Sequence, residues 1–260
     1  MSNSSQPQHL RLDDGRTVAC TSPAEARMLW NEMSVDGFYR RAAAQLRSGD
    51  VALDIGANIG LSAMMFADIC PGATVIAAEP APMTYDCLAH NAAAHVVNCI
   101  PLRTAVGAER GTRAFTWYPR ATANSGFYAD RGADDEATRI FLRNSGLDEE
   151  AIDLITEGLH DEGQQMDVEV TTVSDILSEH AAHSPIGVLK VDVERAELEV
   201  LHGIRDSDWP RIRTVVAEVH DTDGRLAQFC DLLRAHGLEP VTRQDAALDG
   251  TELHEVMATR

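Results

Sequence analysis

The chain is predicted to fold as a single open α/β sheet, mostly parallel, with helices on both faces. Three stretches predict it. VALDIGANIG at 51–60 runs from a nearly all-apolar strand into a glycine turn and then a helix. ATVIAAEP at 73–80 and IGVLKVDVERAELEVLHG at 186–203 repeat the pattern of apolar strand, polar tip and helix. Continuous apolar runs followed by amphipathic helices are the signature of parallel strands buried on both faces.

The elements follow in order. Residues 1–8 read as a polar tail without the charged and apolar regions of a signal peptide. HLRLDDGRTVAC reads as a hairpin turning at Asp14-Gly15. PAEARMLWNEM and DGFYRRAAAQLR have helical spacing, with Trp30, Phe38 and Tyr39 on their apolar faces. Residues 1–48 are thus expected to form an amino-terminal hairpin and helical cap, and 49–260 the main domain. Core strands are expected near 51–55, 74–78, 97–102, 186–191, 212–219, 238–243 and 253–258. The connection 112–185 is unusually long for a compact domain and is expected to hold a strand at FTWYP, helices near 134–145 and 148–160, and a strand near 167–172. Connections of this length commonly serve as lids.

Active sites of open parallel sheets lie outside the carboxyl ends of the strands, and four predicted ends carry Asp54, Glu79, Asp192 and His220. Gly56 and Gly60 suit a tight turn that offers backbone N–H groups to a ligand. The turn reads D-x-G-x-N-x-G through Asn58, not G-x-G-x-x-G, which argues against a nicotinamide-dependent oxidoreductase. A carboxylate at Asp54 suits a ligand bearing an amine or positive charge. Glu79, at the second strand tip, is placed to accept both ribose hydroxyls of an adenosine, although a strand-tip acid is often only a solvated residue.

The order DIGANIG, EPAPMTYDCLAHN, TAVG, LKVDVERAELEVLHG and VVAEVH resembles the FkbM family of S-adenosylmethionine-dependent methyltransferases. RLDDGRTVAC, FTWYPRATANSGFYAD and DSDWPRIRTVVAEVHDTDG extend the likeness over nearly the whole chain from about residue 10. The family's K-x-D-x-E-G-x-E has Arg195 in place of its glycine here, a departure shared with the macrolide-type subgroup. The resemblance implies a Rossmann-like class I methyltransferase fold, S-adenosylmethionine as cofactor, and a hydroxyl on a polyketide macrolide or similar secondary metabolite as methyl acceptor. It adds Pro80, Ala105 and Asp192 to Asp54, Gly56, Asn58, Gly60 and Glu79 as cofactor-binding residues. A sugar or other small-molecule acceptor is the alternative.

Methyl transfer to a hydroxyl needs alignment and a proton acceptor. His220 is the candidate base, oriented by Glu218 or Asp221, because its ordinary pKa lies near neutrality; the plain alternative is a strand-capping histidine. Asp192 is the second candidate, or else a cap for a helix starting at Glu194. Lys190 is read as pairing with Asp192 or Glu218. Tyr118, Asn124, Ser125 and Phe127, with Glu194 and Glu218, are expected to face the acceptor, although aromatics beside a turn are often local packing. Asp192, His220 and Asp221 also loosely match a divalent-cation site, but no metal is assigned.

Composition bounds partners. The net charge of −19 would repel phosphates, so nucleic acid is not expected as a partner. No apolar run approaches a membrane span, and five cysteines without a C-x-x-C pair read as buried thiols of a cytoplasmic protein. A small-molecule acceptor is the expected partner; oligomeric state is not legible. Lys190 is the only lysine in the chain.

Overall fold

A computed structural model describes residues 6–260. Of the polar tail expected over 1–8, residues 1–5 lie outside the described residues, and Gln8 already opens the first strand. The hairpin is β1 (Gln8–Arg11) and β2 (Thr17–Cys20), antiparallel, with Gly15 at φ 91° in the turn. Helix α1 (Pro23–Ser34) starts where the Ser22 side chain accepts from the Glu25 N–H, and α2 is Phe38–Ala43. Trp30, Phe38 and Tyr39 are buried, as their helical spacing predicts.

The main sheet begins with β3 (Val51–Ile55), α3 (Leu61–Ile69), β4 (Thr74–Ala78), α4 (Pro82–His95) and β5 (Cys99–Leu102). A second, three-stranded sheet follows from β6 (Ala105–Val106), β7 (Gly111–Trp117) and β8 (Gln164–Thr171). Between β7 and β8 lie a 3-10 turn at Thr122–Asn124 and helices α5 (Arg131–Asn144) and α6 (Glu149–Thr156). The main sheet resumes with α7 (Val173–His180), β9 (Ile186–Val191), α8 (Glu197–His202), β10 (Thr214–His220), α9 (Arg225–Ala235), β11 (Glu239–Arg243) and β12 (Leu253–Thr259). The strand order is β11-β12-β10-β9-β3-β4-β5, parallel except that β12 runs against both its neighbours.

The Rossmann-like α/β fold is therefore present, and its strands explain themselves. Every residue of β3 and β9 is buried, because each face of the sheet carries a helical layer. On one face α1 to α4 pack Trp30, Phe38, Met64, Phe66 and Leu88 against Val75 and Val188. On the other, α7, α8 and α9 pack Ile176, Leu201 and Phe229 against Leu53, Leu189 and Val215. A small third core joins Phe115, Trp117, Val168 and Val170 of the three-stranded sheet to Ala81 at the start of α4. Helix α7 belongs to the main sheet's packing, so the separate sub-structure of the long connection is β7 to β8.

From β3 the chain winds outward to β5 and later returns to β9 on the other side of β3. That reversal opens a crevice at the carboxyl ends of β3 and β9. Gly56 makes the crevice possible. Its φ is 76°, and a Cβ there would lie 1.7 Å from the Asp192 carbonyl oxygen. Gly56→Ala should therefore destabilise the protein by about 3 kcal/mol or more, combining backbone strain with a clash that cannot relax. Gly49 has a similar φ of 87° but no atom within 4 Å of a built Cβ. Gly49→Ala should cost only about 1–2 kcal/mol, and chemical denaturation of the two variants separates strain from clash.

Candidate active site

One cavity crosses the strand ends. Gly56, Asn58, Glu79, Pro80, Thr104, Ala105 and Val106 line one side, and Asp192, Val193, Glu194 and Glu218 the other. Leu29, Glu32 and Met33 of α1 and Thr122, Ala123, Ser125 and Phe127 of the β7–β8 connection cover it. Of the residues expected from sequence, Gly56, Asn58, Glu79, Pro80, Ala105, Ser125, Phe127, Asp192, Glu194 and Glu218 are brought together there. Asp54, Gly60, Tyr118, Asn124 and His220 are not on its wall, and each absence has a local cause.

Asp54 is fully buried beneath the turn, where the cation it meets is the protein's own. Lys190 Nζ lies 3.2 Å from Asp54 Oδ1 and 3.1 Å from Asp192 Oδ2, and donates to the Gly56 carbonyl at 2.9 Å. Ser62 Oγ donates to Asp54 Oδ2 at 2.6 Å. Burial alone would drain the lysine of its proton, but the two carboxylates outweigh it and hold its pKa above the usual value. Asp192 is thus an ion-pair partner, not a helix cap. The helix expected from Glu194 begins instead at Glu197, because Glu194 and Arg195 both take left-handed backbone angles, φ 48° and 69°. Arg195 holds that tip through an ion pair of 2.8 Å with the buried Asp134 of α5.

Gly60 works from below. It caps α3 at φ 88°, and a Cβ there would meet Leu88 of α4 at 2.7 Å. Tyr118 and Asn124 turn to a buried histidine that sequence reading passed over. His160 Nε2 lies 3.1 Å from Asn124 Oδ1, its Nδ1 2.6 Å from Asp135, and its ring meets Tyr118 edge-on at 4.8 Å. They pack the interior of the connection, while Phe127, edge-on to Phe115 at 5.8 Å, faces the cavity.

His220 sits behind Glu194. Its Nδ1 is 2.8 Å from Glu197 Oε1 and its Nε2 3.5 Å from Glu194 Oε2. Burial lowers its pKa, but Glu194 and the hydrogen bond to Glu197 outweigh that and raise it overall. The ring is held between two carboxylates and does not line the cavity. His220 thus lies off the cavity lining and braces Glu194 and the start of α8.

Carboxyl groups dominate what remains. Burial raises Glu79 to about 7, while N–H groups of Ala81, at 2.9 Å, and Asn58 pull the other way. A carboxylate has about four acceptor positions, so capacity remains for two ligand hydroxyls. Glu194 is raised to about 8, chiefly by burial. Glu218 lies well above the ordinary range, through burial and the nearby charges of Asp192 and Glu32. Glu32 is the residue sequence reading missed; a glutamate on a cap helix carries no local signal of a site. Among the described residues, no group of three or more His, Cys, Asp or Glu side chains is arranged to hold a metal ion.

Comparison with known proteins decides the family. A family model described as the methyltransferase FkbM domain matches residues 54–240. The chain belongs to the FkbM methyltransferase family. It is 45% identical over 252 residues to the 31-O-demethyl-FK506 methyltransferase FkbM of Streptomyces tacrolimicus, covering 96% of each chain. It is also 33% identical over 261 residues to the AMB antimetabolite synthetase AmbE of Pseudomonas aeruginosa, spanning 96% of this chain but 12% of that protein. Among solved structures, an FkbM methyltransferase from Methylobacillus flagellatus KT shares the fold, with a TM-score of 0.50 and 12% identity over 90% of this chain and 58% of that one. This FkbM-family chain is a methyltransferase with S-adenosylmethionine as its cofactor.

The residues present fit that cofactor. The tight turn at Gly56, packed against the Asp192 carbonyl where no Cβ fits, and the part-satisfied Glu79 both line the cavity and suit an adenosine. The surplus negative charge of Asp54 and Asp192 over Lys190 suits a sulfonium. Removing the lysine should show how much rests on it. Lys190→Met leaves two carboxylates uncompensated and should cost about 3–5 kcal/mol of stability. Part of that loss should return in Lys190→Met/Asp54→Asn, as read by denaturant unfolding.

Proposed function

We propose that this FkbM-family chain O-methylates a hydroxyl group of a natural product, of polyketide macrolide or similar type. One observation carries the reading. The described cavity lining holds five carboxyl side chains and no lysine, arginine or histidine, set among Leu29, Met33, Phe115 and Phe127. Apolar walls suit a hydrophobic acceptor, and carboxyl groups raised toward neutrality suit the removal of a hydroxyl proton. The same lining and the net charge of −19 disfavour a phosphate-bearing acceptor such as nucleic acid. The Streptomyces relative, a 31-O-demethyl-FK506 methyltransferase, supports the same acceptor class.

When bound, S-adenosylmethionine supplies an electrophilic methyl group on a sulfonium. Gly56, Asn58, Glu79, Pro80 and Ala105 would hold its adenosine part, with Asp192 toward the sulfonium. The acceptor would enter beside Phe127, Glu194 and Glu218. The β7–β8 connection serves as the lid: Asn58 Nδ2 donates to Thr122 Oγ1 at 2.9 Å, and Glu25 accepts from Thr122 Oγ1 at 3.0 Å and the Ala123 N–H at 2.9 Å. These contacts dock the lid on the glycine turn and exclude water.

Methyl transfer from labelled S-adenosylmethionine to 31-O-demethyl-FK506 and to smaller hydroxylated polyketides tests the reading, with the label expected on oxygen. Label on nitrogen or carbon, or transfer to none of these while amines are methylated, would overturn it. Glu79→Ala should weaken S-adenosylhomocysteine binding by about 2 kcal/mol in calorimetry. Hydrogen exchange should show protection within residues 119–165 when S-adenosylhomocysteine binds; equal exchange in both states would remove the lid.

A further inference from the structure

We propose that Glu32 and Glu218 form a single proton-accepting pair that serves as the catalytic base for the acceptor hydroxyl. The proposal rests on the O-methylation reading above and adds a residue from the cap helix to the chemistry. Both side chains line the cavity, Glu32 from the end of α1 and Glu218 from β10. The two carboxyl groups stand within hydrogen-bonding reach of each other in that cavity, and two carboxyl groups share a hydrogen bond only when one carries a proton. Asp192 directly follows β9 and Glu218 lies near the end of the adjacent β10, while Glu79 follows β4 across β3. The pair therefore stands on the acceptor side of Asp192, away from the adenosine side.

The surroundings keep the pair at one shared proton. Tyr39 of α2 donates from Oη to Glu218 Oε1 at 2.9 Å and lies 3.3 Å from Asp192 Oδ2. Lys190 faces it from β9, Asp192 and Glu194 from the tip beyond, and Glu255 from β12. Lys190, the cation that acts on Glu32, is already engaged by Asp54, Asp192 and the Gly56 carbonyl. With acids on most sides and Lys190 already paired, the surroundings favour one negative charge on the pair over two. Glu32 keeps contact with solvent at the cavity mouth; even so, surrounding protein and the Asp192 charge raise it to about 7. A base poised there is close to ideal for a neutral-pH reaction.

The step balances. As the acceptor oxygen forms its bond to the methyl carbon, its O–H bond breaks and the proton passes to the singly ionised pair. The S–C electron pair stays on sulfur, which becomes a neutral thioether, and the pair becomes a neutral diacid. One positive and one negative charge disappear together. Glu32, at the mouth, then returns the proton to water.

The pair titrates as a unit, so carbon-detected NMR of glutamate-labelled enzyme saturated with S-adenosylhomocysteine tests it without any acceptor. Two carboxyl signals should shift together in two well-separated steps, one near pH 7. In Glu32→Gln the remaining Glu218 signal should titrate in a single step. Independent titrations of Glu32 and Glu218, each in one step in the ordinary carboxylate range, would overturn the proposal even if O-methylation is correct. Where an acceptor is turned over, Glu32→Gln and Glu218→Gln should each lower kcat roughly 10²–10⁴-fold while leaving S-adenosylhomocysteine affinity within about twofold. Wild-type kcat should fall as pH drops through about 7, because a doubly protonated pair cannot accept. Turnover of Glu32→Gln within twofold of wild type would also overturn it.

Discussion

The ion cluster around Lys190 is the constraint on which the rest of the site depends. One ammonium inside a fully buried strand ties Asp54 of β3 to Asp192 beyond β9 and fastens the Gly56 carbonyl at the same time. It therefore fixes the two strands on either side of the crevice and the loop that crosses between them. A buried lysine is tolerable only when paired, and here two carboxylates over-compensate it. The surplus negative charge is carried into the cavity, where the next carboxyl groups along the rim meet it.

That surplus explains the character of the wall. Glu194, Glu218 and Glu32 each sit near another acid, and each is pushed upward as burial and neighbouring charge act together. The rim is rich in acids but cannot be fully ionised. It presents groups that exchange protons near neutrality instead of a fixed block of negative charge. His220 answers part of this crowding by standing between Glu194 and Glu197. It stabilises the tip electrostatically.

Much of the frame was legible because its signals are local. Apolar runs mark β3, β4, β9 and β10, and the glycine turn with Glu79 marks the adenosine side. The chemistry of individual residues was less legible because it depends on what the fold brings from far away. Asp54 reads as a ligand's carboxylate until Lys190, distant in sequence, is found beneath it. His220 ends its strand with no local sign that Glu194 and Glu197, more than twenty residues earlier, enclose it. Tyr118 and Asn124 read as acceptor contacts until His160 draws them inward. Glu32 carries no motif at all, and only the packing of α1 over the strand ends gives it a role. The left-handed angles at Glu194 and Arg195, which delay the helix to Glu197, likewise go with an ion pair to Asp134 that no short window contains.

Lys190 is also the chain's only lysine, and it is buried. Every other side-chain cation, histidines aside, is a guanidinium. The folded surface therefore displays no ε-amine whatever. Reagents and enzymes that acylate, alkylate or conjugate lysine find their single target only when the strand ends separate. The amine at the centre of the site is in that sense a built-in reporter of its own integrity, silent while the crevice is assembled and reactive once it opens.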